Sequence, residues 1–178
     1  MPLFKKSKVD QLAAAGDVQG LIAVVSGPDA PRDRADAVHE LPRFAEKVEA
    51  DYLDATRLAL NVAAQDPNAE VRASALFAWA EFRWEDSVDR LLGGVEDSDW
   101  MVRLFAVTML GRFRDGRIPE RLGAILGADP EGMVREGAAS SLGELGDPSA
   151  AEALRRAATE DREREVRKSA ERALKSLG

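Results

Sequence analysis

A repeat of about 32 residues constrains the fold of this chain more than any other feature. The dipeptide Val-Arg recurs four times, at spacings of 31, 32 and 32 residues. Each copy has an Asp five residues before the valine and apolar residues four, eight and eleven residues after it. The four valines are Val71, Val102, Val134 and Val166. Residues at positions 0, 4, 8 and 11, counted from the valine, lie within about 80° of each other around the axis of an α-helix, which turns by about 100° per residue. Each copy therefore predicts an amphipathic helix.

A second, shorter helix precedes each Val-Arg helix, and it is marked by a leucine of its own. These leucines are Leu53, Leu91, Leu122 and Leu154. A weaker fifth copy lies upstream around Arg34, where Asp33 replaces the valine. The chain therefore divides into five predicted helix pairs, at about 17–44, 45–82, 86–113, 116–145 and 148–177. Because no such pair buries both of its faces alone, the pairs must stack, which predicts an all-α superhelix, or α-solenoid.

We expect residues 1–15 to form an N-terminal arm and a short capping helix, and residues 16–178 to form a single repeat domain. The sequence "DPEGMVREGAASSLGELGDPSAAEALRRA" at 129–157 is the cleanest copy. It resembles the HEAT-like repeats of the phycobilin-lyase type, and the resemblance extends over residues 16–178. The resemblance implies that the first helix of each pair lies on the convex side. The Val-Arg helices would then line the concave side, where partners of such proteins usually bind.

The sequence departs from the repeat at two places, and each departure predicts a structural feature. About seven extra residues lie between Phe44 and Asp66, which corresponds to two helical turns and predicts a longer helix instead of a loop. Pro42 occupies a position inside the first Val-Arg-type helix. Because proline removes a backbone hydrogen bond and clashes with the preceding turn, that helix should kink or stop there.

The recurring Asp and Arg, such as Asp97 with Arg103, are predicted to form a ladder that ties neighbouring repeats together, because they occupy equivalent positions in every copy. Other candidates for chemistry are few. The chain has no cysteine and one histidine, so we expect no catalytic residues, no metal site and no cofactor. His39-Glu40 is the only histidine-acid pair. Deoxyhypusine hydroxylase, which has similar repeats, uses several His-Glu motifs to hold two irons.

Charge and hydropathy limit the classes of partner. The net charge is -7, and residues 9–160 alone carry -12. Such a negative region opposes binding to a phosphate backbone, so no nucleic-acid partner is expected. No apolar run approaches the length of about 18 residues needed to cross a membrane, and no membrane partner is expected. We therefore expect a cytoplasmic protein.

The segment "EDSDWMVRLF" at 96–105 places more apolar residues together than one buried stripe requires. Trp100, Met101 and Leu104 point away from the stripe that Val102 begins, and the equivalent residues of other copies are mostly small or charged. We predict a partner-binding patch around them. Its members are Phe77, Trp84, Trp100, Met101, Leu104, Phe105 and Arg112. Alternatively, the lengthened second pair or the N-terminal arm covers the patch, or it mediates self-association.

These features favour a non-catalytic interaction scaffold or adaptor that holds a protein or peptide on the concave face of its central repeats. The alternative is an enzyme or accessory factor on the same fold. The resemblance to HEAT-like repeats suggests two such classes, bilin lyases and DNA glycosylases. The negative net charge of the chain gives less support to a DNA glycosylase. The glycosylase class uses outward-pointing Trp and Asp residues that are similar to Trp100 and Asp99.

Overall fold

The structure is a computed structural model that describes residues 6–177. Within that range the chain consists of helices and short connections, without a β-strand. It divides into two compact units, Met1–Ser87 and Val88–Gly178. The arm predicted for the first residues falls partly on 1–5, which lie outside the described part. Every helix among residues 6–177 is too short or too polar to span a lipid bilayer.

The first unit contains the N-terminal helix pairs. Its helices are α1 (Lys8–Ala15), α2 (Val18–Ser26), α3 (Pro31–Glu40), α4 (Ala45–Lys47), α5 (Leu53–Ala63) and α6 (Ala69–Phe82). Side-chain caps fix where several of them begin: Asp17 accepts from Gly20 N–H at 2.8 Å, and Asn68 accepts from Glu70 N–H at 2.9 Å. Each cap satisfies an amide that has no partner within the helix.

The inserted segment is helical, as predicted, but its pitch changes along its length. The helix α3 ends at Glu40, and a 3₁₀ turn at Leu41–Phe44 contains Pro42, which confirms the predicted interruption. After α4, residues Val48–Tyr52 form a π-helical turn. A π turn takes up extra residues without leaving the helix, so the chain accommodates the insertion before α5 begins.

The second unit repeats the helix pair in a more regular form. Its helices are α7 (Ser87–Gly94, whose first residue ends the first unit), α8 (Trp100–Leu110), α9 (Ile118–Ala128), α10 (Gly132–Leu145), α11 (Ala151–Glu160) and α12 (Arg164–Leu177). A 3₁₀ turn at Pro148–Ala150 leads into α11, and Asp147 caps it by accepting from Ser149 N–H at 2.9 Å. The Val-Arg helices α8, α10 and α12 pack side by side, with α9 and α11 against them.

The repeated apolar stripe forms the core of both units. The four repeat valines and the alanines four residues after them are all buried. Trp79 is fully buried, as its position in the stripe predicts, and Leu91, Leu122 and Leu154 of the first helices are buried too. Leu53 is only half-buried, because the insertion shifts the register and Leu60 takes the buried position in α5. Truncating a fully buried leucine such as Leu60 to Ala typically costs about 2–5 kcal/mol.

Candidate binding surface

The cap of α8 places two large apolar residues in the first turn of that helix. Asp97 accepts from Asp99 N–H at 2.8 Å, and Asp99 in turn accepts from Met101 N–H at 2.8 Å. These two bonds fix the start of α8 at Trp100. The acidic segment before the helix is therefore a turn and cap, and the apolar residues follow it directly.

The structure gives different exposures to the predicted site residues of the second unit. Met101 is 50% exposed, whereas Trp100, Leu104 and Phe105 are half-buried. Leu104 lies against α10 at Gly137, where an added Cβ would stand 2.7 Å from Leu104 Cδ1. Leu104 thus packs partly against a neighbouring helix, and Met101 is the most accessible of the four.

The methionine at the equivalent position of the next repeat is also exposed, and the sequence-based set omitted it. Met133 precedes the buried Val134 as Met101 precedes the buried Val102, and its side chain is 56% exposed. Because α8 and α10 are neighbours, the repeat places both methionines on the same face. We refer to Trp100, Met101, Leu104 and Met133 as the Met101 surface. A search for large apolar residues at repeat-equivalent outward positions would have identified Met133.

Arg112 lies at the other end of α8 from Trp100. The eleven residues of α8 span about 15 Å along the helix axis, and Arg112 follows that helix. Its side chain is exposed, and Nη1 lies 3.5 Å from Met109 Sδ. Arg112 is therefore placed at one end of this helix and does not flank the aromatic side chain of Trp100.

Phe77 and Trp84 belong to the first unit, and both contact other side chains of that unit. The Phe77 ring is half-buried and lies 4.5 Å from the ring of His39. Trp84 stacks on Phe82 with ring centroids 4.2 Å apart and an interplanar angle of 5°. Trp84 also meets the buried Trp79 edge-on at 5.1 Å.

An arginine completes this aromatic cluster. The guanidinium carbon of Arg57 lies 5.1 Å from the Trp84 ring centroid and 5.5 Å from the Trp79 ring centroid. Arg57 also forms an ion pair with Asp86. Such cation–π contacts stabilise a fold by about 0.5–2 kcal/mol, so Trp84 has a structural role in the first unit.

The recurring Asp and Arg form a ladder inside each unit, but the predicted pairing of Asp97 with Arg103 is wrong: Arg103 binds the carboxylate of Asp129 and takes only a backbone carbonyl from Asp97. Arg34 binds the Asp66 carboxylate through Nε and Nη2 at 2.8 and 2.9 Å. In the second unit, Arg103 binds Asp129 at 2.8 and 3.0 Å, and Arg135 binds Asp161 at 2.8 and 3.0 Å. In each case the arginine belongs to one repeat and the aspartate to the next. We refer to the three aspartates as the ladder aspartates.

Hydrogen bonding holds the ladder aspartates in their charged form. For Asp129, burial acts to raise the carboxyl pKa, but hydrogen bonds from Arg103 and from Glu131 N–H outweigh it and the pKa is lowered. The pKa of Asp66 is lowered by the same balance, with Arg34 and Asn68 N–H as donors. The pKa of Asp161 is lowered chiefly by its hydrogen bonds with Arg135.

The His, Asp and Glu side chains of the described part of the chain do not converge on a metal site. Among residues 6–177, no set of three or more His, Asp and Glu side chains is placed to share a metal ion. His39, the single histidine, is exposed and contacts an aromatic ring. The ladder carboxylates are already bound by arginines.

Comparisons with solved structures agree with the helical-repeat architecture. An engineered protein matches with a TM-score of 0.65 and 20% identity over 95% of this chain and 82% of its own. Computationally designed armadillo repeat proteins for modular peptide recognition match with a TM-score of 0.61 and 17% identity over 96% of this chain and 86% of theirs. Human deoxyhypusine hydroxylase, in complex with glycerol, matches with a TM-score of 0.58 and 22% identity over 95% of this chain and 76% of its own.

At these identities the structural likeness establishes the fold, an all-α solenoid of the armadillo and HEAT type. No curated protein sequence gives a significant match. The family model for HEAT repeats matches residues 56–130 and 95–175, which together make up more than half of the sequence. The chain is therefore a member of the HEAT-repeat family.

Proposed function

We propose that this HEAT-repeat chain is a non-catalytic adaptor that binds a protein or peptide partner at the Met101 surface, and that it acts in the cytoplasm. HEAT and armadillo repeat proteins generally bind proteins or peptides through such helices. In the related repeats the Val-Arg helices line the concave side of the stack. Met101 and Met133 both precede the buried valine of a Val-Arg helix.

The observation that carries the proposal is the exposure of two methionines at equivalent positions of adjacent repeats. Met101 is 50% exposed and Met133 is 56% exposed, and the half-buried Trp100 and Leu104 adjoin Met101 in the same helix. Exposed large apolar side chains that cluster on one face typically mark an interaction surface. Methionine suits such a surface because its flexible, polarisable side chain adapts to different partners.

Burial of the two methionines supplies part of the free energy of a specific contact. Burying a fully exposed methionine side chain contributes about 1.5–3 kcal/mol. Met101 and Met133 are each about half exposed, so covering both contributes about 1.5–3 kcal/mol in total before the costs of association. A partner that also covers the exposed edge of Trp100 would add to this term, since tryptophan is enriched among residues that dominate interface energies.

The fold likeness to armadillo repeats designed for modular peptide recognition supports a peptide-binding role. Those proteins are designed for modular peptide recognition, and we extend peptide recognition to this chain. An extended peptide would place apolar side chains against successive repeats, which fits the recurrence of Met101 and Met133 one repeat apart.

The enzymatic alternative has less support. Human deoxyhypusine hydroxylase shares the fold, but the His-Glu motifs implied for that class are represented here by His39-Glu40 alone. No side-chain constellation within 6–177 provides a metal site for such a reaction. A nucleic-acid substrate is disfavoured by the net charge of -7.

The proposal is tested by a charge placed on the surface. Partners are first captured from the source cells with the tagged chain and identified by mass spectrometry, and the affinity of each is then measured with purified proteins. We expect Met101→Glu to weaken binding by at least about tenfold, because a buried carboxylate costs more than the apolar contact contributes.

Leu58→Glu is the matched control, since Leu58 is 66% exposed on α5 and lies outside the Met101 surface. It should change the affinity by less than about twofold, and thermal unfolding of both variants should stay close to that of the wild type, as for other exposed positions. Unchanged binding in both Met101→Glu and Met133→Glu would show that partners bind elsewhere.

A further inference from the structure

The exposed large apolar side chains of the second unit are both methionines. Met101 is 50% exposed and Met133 is 56% exposed, and no other large apolar side chain is exposed among the described residues of that unit, 88–177. In the first unit the exposed large apolar side chains of the described part are Leu58 and Val62, which contain no sulfur. The second unit therefore presents an oxidisable thioether at each of its exposed apolar positions.

The residue immediately before the repeat valine is a methionine in two of the four Val-Arg copies. Met101 and Met133 occupy this position in the two middle copies, whereas Glu70 and Glu165 occupy it in the copies on either side. All four side chains are exposed. The position thus faces solvent in each Val-Arg copy, and it carries a thioether only in the two copies that form the Met101 surface.

The thioethers are the only sulfur groups in this sequence, which has four methionines and no cysteine. No thiolate therefore competes with them for a peroxide. In the reaction of a thioether with hydrogen peroxide, an S–O bond forms as the O–O bond breaks. The sulfide loses two electrons and becomes a sulfoxide, and the peroxide is reduced to water. The product is polar, and methionine sulfoxide reductases convert it back to the thioether.

We propose that Met101 and Met133 form a peroxide-sensitive modification site, at which oxidation of the two thioethers to sulfoxides releases the partner. This inference rests on the proposed function of the Met101 surface. A partner that contacts the thioethers through apolar groups would bury each sulfoxide oxygen without a hydrogen-bond donor, which is unfavourable. Oxidation removes the apolar character on which binding depends, and a reductase restores it.

The packing of α8 against α10 places both oxidation sites within one contact. The two helices are neighbours, and the axes of packed helices lie about 8–10 Å apart. A single partner segment that covers one methionine would therefore adjoin the other. Because both sulfoxides oppose the same contact, the doubly oxidised chain should bind more weakly than either singly oxidised form.

Met109 provides an internal reference for the reaction. It lies in α8, as Met101 does, but its side chain is half-buried and its Sδ accepts from Arg112 Nη1 at 3.5 Å. Burial limits the access of peroxide to this sulfur, and the hydrogen bond engages one of its lone pairs. Met109 should therefore react more slowly than Met101 and Met133. Because the two faster methionines are exposed, their oxidation should leave the fold intact.

Treatment of the full chain with hydrogen peroxide tests the site in two stages. Peptide mapping by mass spectrometry first follows each methionine, and Met101 and Met133 should be oxidised at least about threefold faster than Met109, with the circular dichroism signal unchanged. The affinity for a partner identified by capture is then measured. It should fall by at least about tenfold in the oxidised chain. Methionine sulfoxide reductases should restore it, which separates methionine from tryptophan oxidation, because these enzymes act on methionine sulfoxide.

Leucine variants assign the effect to particular sulfur atoms, and each variant is compared with its own untreated sample. In the double variant Met101→Leu/Met133→Leu, peroxide should change the affinity by less than about twofold, because leucine has a similar apolar volume but no sulfur. Met109→Leu is the matched control, and peroxide should lower its affinity as much as it lowers that of the wild type.

Several results would overturn the proposal. These are equal oxidation rates for the three methionines, an oxidised wild type with unchanged affinity, or a loss of affinity that the reductases do not reverse. Weaker binding in Met101→Glu together with unchanged binding after peroxide would refute the modification site alone. Unchanged binding in Met101→Glu, in Met133→Glu and after peroxide would refute the proposed binding surface, and the modification site with it.

Discussion

Replacing Arg135 with methionine tests the ladder most sharply. Arg135 is 4% exposed and holds the Asp161 carboxylate with two hydrogen bonds at 2.8 and 3.0 Å. The side chain of Asp161 is itself only 8% exposed. Methionine retains most of the apolar stem, so the substitution removes the charge and the donors while keeping much of the packing.

The loss of stability expected for Arg135→Met follows from the state in which it leaves Asp161. Asp161 would become a buried carboxylate without its counter-ion, and breaking a buried pair from one side typically costs about 3–5 kcal/mol. Arg167→Met is the matched control, because Arg167 makes the same two carbonyl contacts but binds no carboxylate within the described residues. Loss of those carbonyl bonds alone should cost about 1 kcal/mol.

Urea denaturation of the full chain, followed by circular dichroism, measures both costs. We expect Arg135→Met to lower the free energy of unfolding by at least about 2 kcal/mol more than Arg167→Met. Asp161→Asn completes a double-mutant cycle, since asparagine retains an oxygen that can accept from Glu163 N–H. Equal costs for the two arginine variants, or no coupling between Arg135 and Asp161, would refute the inter-repeat role of the ladder.

Further predictions concern pH, packing and the last helix. The pKa of each ladder aspartate is lower in the folded state than in the unfolded state. The stabilisation from these aspartates should therefore be complete above the unfolded pKa of about 4 and be lost as the pH falls through the lower folded pKa values. Acid titration of the circular dichroism signal measures this loss. Gly143→Ala should destabilise the chain by about 1–3 kcal/mol, because the new Cβ would lie 2.9 Å from Ala173 Cβ and 3.0 Å from its backbone Cα. In Gly93→Ala in α7, the new Cβ has no atom within 4 Å, so this variant should instead stabilise the helix by up to about 1 kcal/mol. Denaturation midpoints should fall for Gly143→Ala and rise for Gly93→Ala. Truncation after Ala157 removes α12, which packs on α10 and α11, and light scattering should then reveal aggregation.

The fold followed from the sequence because a period of about 32 residues repeats a helical stripe. The position of Trp79 in the apolar stripe predicted that it is buried, and the backbone constraint of Pro42 predicted that α3 ends before it. The π-helical turn at Val48–Tyr52 was not predicted. Periodicity shows that an insertion is helical, whereas its pitch depends on how the extra residues fit between packed neighbours.

The candidate surface was predicted less completely than the fold. Helical angles identified Met101 as outward, but they do not show what a neighbouring helix covers. Leu104 is half-buried because Gly137 in α10 leaves room for it, and this depends on a residue 33 positions away. Trp84 stacks on Phe82 in a contact that no helical period predicts, since Trp84 follows the end of α6.

Site-specific photo-crosslinking tests the central claim of partner binding most directly. A photoreactive amino acid is placed at Met101 in one sample and at Leu58 in another, and each is irradiated with a partner identified by capture. If the Met101 surface is the binding site, position 101 should give one saturable adduct that the unlabelled chain competes away, and position 58 should give none. An adduct at position 58 alone, or equal adducts at both positions that no competitor removes, would contradict binding at the Met101 surface.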